Sequence, residues 1–67
     1  MSQKDYRLHM TSRGHQMPPI NFSAGSDDEA KKEAQERLSL QRKSDPQGTA
    51  GIDSLFRIDV REVKTRI

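Results

Sequence analysis

The chain has no cysteine, no tryptophan and only three aromatic residues (Tyr6, Phe22 and Phe56) among its 67 residues. Without cysteine there is no disulfide, iron–sulfur cluster or thiolate zinc site. No apolar run approaches the ~18 residues that a membrane-spanning helix needs. The opening Met1-Ser2-Gln3-Lys4-Asp5 does not place an apolar stretch behind a basic one, so no secretory signal is expected. Only 30% of the side chains are apolar and 33% are charged, too little apolar material to line a substrate cavity as well as a core. These limits lead to the expectation of one small, soluble, cytoplasmic domain, with no membrane contact and no cofactor.

Charge is present in both signs and is laid out in blocks. The net charge is +2, yet residues 27–36 hold five acids against two lysines, while cations prevail on either side. No block of five like charges occurs, so a disordered nucleic-acid-binding arm is not indicated.

Hydrophobic periodicity sets the elements. Residues 5–11 alternate, with Tyr6, Leu8 and Met10 on one face and Arg7, His9 and Thr11 on the other, which predicts a half-buried strand. Ser12-Arg13-Gly14-His15 suits a turn, and Pro18-Pro19 removes two ladder donors, so pairing is expected to begin after Pro19. Residues 20–24 alternate again, with Ile20, Phe22 and Ala24 inward. Ser26-Asp27-Asp28-Glu29 has the form of a capping box and opens a helix over 27–42. Its apolar stripe is Ala30, Ala34 and Leu38, and acid-first pairs such as Glu33–Arg37 support it. Residues 44–53 read as a flexible loop, and 55–63 as the last strand, with Phe56, Ile58 and Val60 inward and Arg57, Asp59 and Arg61 outward. In that phase Leu55, Val63 and Ile67 have the wrong parity, so either a bulge lies near Arg61-Glu62 or these side chains are exposed. The expected fold is α+β, of ββαβ order: a three-stranded antiparallel sheet in spatial order 2-1-3 with one helix on one face.

No catalytic constellation is visible. His9 and His15 are the only histidines, one on a strand and one in a turn, and no further metal ligands converge on them from the sequence pattern. Gly48-Thr49-Ala50-Gly51 lacks the Lys-Ser/Thr of a phosphate loop. The surface left for function is the uncovered sheet face, where Arg7, Arg57 and Arg61 can grip carboxylates of a protein partner, with His9 beside them. With every aromatic inward by parity, none is left there to stack on bases. The last strand is an edge guarded by one lysine, Lys64, so residues 55–67 are expected to contribute to a partner or homodimer interface through Val63, Lys64 and Ile67; a frayed tail is the alternative.

The run Ile20-Asn21-Phe22-Ser23-Ala24-Gly25-Ser26-Asp27-Asp28-Glu29-Ala30, followed by Ala34, Leu38 and the strand Phe56-Arg57-Ile58-Asp59-Val60-Arg61, resembles small bacteriophage early proteins of strand-strand-helix-strand form. These include a phage inhibitor of bacterial RNA polymerase and some small anti-CRISPR proteins. The resemblance implies a non-enzymatic inhibitor that binds a host protein or ribonucleoprotein complex in the host cytoplasm. The alternative expectation is direct nucleic-acid binding through Arg7, Arg13, Arg57, Arg61, Lys64 and Arg66.

Overall fold

The computed structural model describes residues 3–58 and 64–67. Five strands and one α-helix follow in the order β1 (Lys4–Ser12), β2 (His15–Gln16), β3 (Ile20–Ala24), α1 (Asp27–Ser44), β4 (Gly51–Ile58) and β5 (Lys64–Arg66), with a 3-10 turn at Pro46–Gly48 before β4. The class is α+β, and every described strand pairing is antiparallel. The sheet has five strands rather than three. β1 is central, with β2 and β3 along one side and β4, then β5, on the other.

β1 follows its alternation. Tyr6, Leu8 and Met10 are the largest fully buried side chains, and α1 packs over them with Ala30, Ala34 and Leu38. Two alanines in that stripe let the helix lie close to the sheet. The Ser26 hydroxyl accepts from the Glu29 amide at 3.2 Å, as a capping box requires, but the Glu29 carboxylate reaches one residue further back, to the Gly25 amide at 2.9 Å. The helix runs two residues past the expected Arg42.

Pairing does not wait for Pro19. Arg13 and Gly14 both have positive φ, 56° and 74°, which is the backbone that closes a two-residue hairpin. Ser12 therefore pairs with His15 directly. Further along, Met17 donates to the Met10 carbonyl at 2.9 Å, whereas Leu8 pairs with Ile20. One residue, His9, thus faces two, Pro18 and Pro19. The returning strand carries one extra residue where its missing donors cost least.

The same irregularity occurs on the other side of β1. His9 pairs with Ser54 but Met10 pairs with Ile52, so Asp53 is the extra residue of a bulge. A bulge lies at Asp53, and it reverses the expected phase of β4; Arg61-Glu62, where one was expected, lie outside the described residues. Ile52 and Leu55 both turn toward the helix; Phe56 and Ile58, expected inward, pair with Arg7 and Asp5 on the open face. Ile67 donates its amide to the Leu55 carbonyl at 3.0 Å and packs against the core, so it is neither frayed nor outward. Val60, Arg61 and Val63 lie outside the described residues.

The segment expected to be a flexible loop is pinned. Arg13 grips Asp45 with two hydrogen bonds of 2.6 and 2.7 Å and bonds the Gly48 carbonyl through its own amide. Arg42 holds the carbonyl of buried Ala50 at 3.1 Å. A Cβ on Gly48 would stand 2.6 Å from Asp45 Oδ2 and 2.7 Å from Ser12 Oγ, so glycine is the residue that fits this crossing.

The reversed phase of β4 has a direct consequence for stability. Leu55→Ala removes a buried side chain and is expected to cost about 2–5 kcal/mol in urea unfolding. Phe56→Ala, on the open face, is expected to cost less than about 1.5 kcal/mol. The opposite ranking would contradict the phase.

Candidate functional site

The open face is built by strand register. Arg7 lies between Asn21 on β3 and Phe56 on β4, and Phe56 lies beside Arg66 on β5, which makes a row Asn21–Arg7–Phe56–Arg66 across four strands. The adjacent row is Ser23–Asp5–Ile58–Lys64. The Arg7 Nε donates to Asn21 Oδ1 at 3.0 Å, and Ser23 donates to Asp5 at 3.1 Å, so both rows are anchored at the β3 end. The His9 ring stands edge-on to Phe56, with ring centres 5.6 Å apart and planes at 85°. This contact fixes the Phe56 ring while leaving it half-exposed. His9 Nδ1 is shielded from solvent and has no hydrogen-bond partner.

Arg57 is on the opposite face. Its Nη1 meets Asp27 Oδ2 at 2.9 Å, and the Tyr6 hydroxyl donates to Asp27 Oδ1 at 2.8 Å, so one carboxylate at the start of α1 joins β1 and β4. The Tyr6 hydrogen bond, with Arg57 adding to it, holds the Asp27 carboxyl below its ordinary range. Burial, reinforced by the bond to Asp27, pushes the Tyr6 phenol up to about 12. At the other end of the helix, the hydrogen bonds from Arg13 lower Asp45 in the same way.

The expected three-arginine grip is therefore not assembled. Of the residues singled out from the sequence, Arg7, His9 and Lys64 share the open face, Arg57 and Ile67 face the helix side, and Arg61 and Val63 lie outside the described residues. Phe56 and Ile58 join the face against expectation, with Arg66 beside them. The sign of this was the odd parity shared by Leu55 and Ile67, which is the inward set. Among the described residues no group of three His, Asp or Glu could hold a metal, and no helix is long and apolar enough to cross a membrane. No family model matches the chain, and neither do the curated proteins or the solved structures.

Tyr6 is the only tyrosine, so its ionisation can be followed by ultraviolet absorbance without interference. The folded protein is expected to titrate near 12, and Asp27→Asn to lower that value. A folded-state value near 10 would contradict the network. Because the Tyr6 value is raised, its contribution to stability is complete below about pH 10 and is lost as the pH rises through about 12. Asp27 has the opposite sign: its contribution is present above the ordinary carboxylate range and is lost as the pH falls through its lowered value.

Proposed function

We propose that the protein is a non-enzymatic binding module that takes single-stranded nucleic acid on the open face of its sheet. The observation that carries this reading is Phe56, turned outward by the bulge and set between Arg7 and Arg66. Its half-exposed ring offers a stacking surface to an unpaired base, an interaction worth about 1–3 kcal/mol. Arg7 and Arg66 stand in register on either side of Phe56, and the cationic strands they belong to suit the phosphates that flank such a base, although one Arg66 nitrogen is tied to the Asp53 carbonyl. Arg7 commits its Nε to Asn21 on β3, which leaves its terminal nitrogens for a ligand. A stacked duplex does not present a base face to a sheet, so single strands are preferred.

A second reading is favoured by the neighbouring row. Asp5 repels phosphate, and apolar Ile58 beside it suits a protein surface. In that reading the same face, through Arg7, Phe56 and Ile58, binds and inhibits a host nucleic-acid machine in the cytoplasm, such as an RNA polymerase or a CRISPR effector complex, as the resemblance to phage inhibitors implies.

Fluorescence anisotropy with labelled homopolymeric single strands and a duplex of equal length, at low and moderate salt, separates the readings. Tighter binding to single strands is expected, with Phe56→Ala weakening it about 5- to 150-fold. Arg66→Ala is expected to reduce the slope of log K against log salt by about 0.7. Absence of binding, or binding indifferent to Phe56→Ala, would overturn the nucleic-acid reading. Stoichiometric capture of a polymerase or effector complex, lost on Phe56→Ala, would then establish the second.

A further inference from the structure

The two rows of the open face hold a single acid, Asp5, and stacking on Phe56 gives it no part. Asp5 and Arg7 lie two residues apart on the same face of β1, yet no ion pair joins them. Each is drawn to β3 instead. Ser23 donates to Asp5 Oδ1 at 3.1 Å, and Arg7 Nε donates to Asn21 Oδ1 at 3.0 Å. Among the described residues, Asp5 Oδ2 and the terminal nitrogens of Arg7 have no partner. The two side chains flank a pocket of about 350 Å³ that lies over the Tyr6–Phe22 pair, with Ile58 on β4 as its apolar wall. An acceptor and a donor are thus held apart across a space at the small end of ligand sites.

We infer that this pocket takes the pairing edge of a guanine base, with Asp5 accepting from its N1–H and N2 amino groups and Arg7 donating to its O6. Guanine is the one common base whose pairing edge sets two adjacent donors beside an acceptor. A carboxylate offers two oxygens to such a pair of donors, and Asp5 Oδ1 keeps a lone pair beside its bond from Ser23. One terminal nitrogen of Arg7 suffices for O6, an acceptor that arginine commonly meets. Adenine and cytosine each present a single amino donor on that edge, followed by an acceptor that the carboxylate opposes. Thymine and uracil present one donor between two acceptors. Each of these leaves a charged oxygen of Asp5 unpaired.

The rest of the face agrees with this placement. Arg66 and Lys64 lie on β5, two strand spacings from β1, or roughly 10 Å. Phosphates running over β5 therefore point their bases toward β3 and stay clear of Asp5. Phe56 and Ile58 are two residues apart on β4, about 7 Å, so one base stacks on Phe56 while its neighbour lies over Ile58 in the pocket. The inference rests on the single-strand reading of the open face and adds which base that face selects.

The test is fluorescence anisotropy of the full chain with labelled thymidine strands of equal length, each carrying guanine, hypoxanthine, adenine or cytosine at one central position. Guanine is expected to bind more tightly than adenine by about fivefold or more. Hypoxanthine, which is guanine without the N2 amino group, is expected to fall between them. Asp5→Asn keeps an acceptor for Ser23 but replaces the other carboxylate oxygen with a donor, and is expected to bring guanine down to the level of adenine. Equal affinity for the four strands, or a guanine preference that survives Asp5→Asn, would overturn the assignment. Strands that bind through Phe56 without base preference overturn this inference alone and leave the single-strand reading standing. Strands that do not bind at all overturn both.

Discussion

Asp53 has no counterpart on the neighbouring strand, and that one surplus residue decides which side of the sheet each later β4 side chain occupies. A strand repeats every two residues, so an insertion of one exchanges its faces. Leu55 and Arg57 pass to the helix side, and Phe56 and Ile58 to the open side. The bulge is fastened where it occurs: the Thr11 hydroxyl bonds the Asp53 side chain, and Arg66 takes its carbonyl. Across β1 at the same level, the Pro18-Pro19 segment adds one residue to the other neighbouring strand. His9 is therefore flanked by irregularity on both sides, at the centre of the face that carries Phe56.

The helix side is thin. Among the described residues, four of the nine buried hydrophobic side chains are alanines, so polar ties between elements carry more of the organisation. Asp27 joins the start of α1 to β1 and β4 through Tyr6 and Arg57, and Asp45 joins its end to the first hairpin through Arg13. Both carboxylates are held in their charged form by these contacts. The helix is thereby fixed at both ends on one side of the sheet.

What could be read from the sequence was local. The alternation of β1, the Ser26 cap and the Ala30–Ala34–Leu38 stripe depend on spacing within one element, and they stand as expected. The phase of β4 depends on where it meets β1, and alternation within residues 55–58 does not by itself say which of Phe56 and Arg57 faces the helix. The same limit hid the tight hairpin: positive φ at Arg13, a residue with no marked preference for it, is imposed by closure of the turn and by the bond to Asp45. Residues 44–53 looked loose by composition, yet the long-range contacts of Arg13 and Arg42 hold them. The arginine grip failed for a related reason, because Arg57 found a carboxylate across the fold at Asp27.

The central claim is that the Asp53 bulge turns Phe56 away from the helix and Arg57 toward it. Nuclear Overhauser contacts of the Phe56 ring report this directly. The account predicts cross-peaks from the Phe56 ring protons to the His9 ring and none to the methyl groups of Ala30 or Ala34. Strong contacts between Phe56 and those alanines, with the His9 contacts missing, would contradict it.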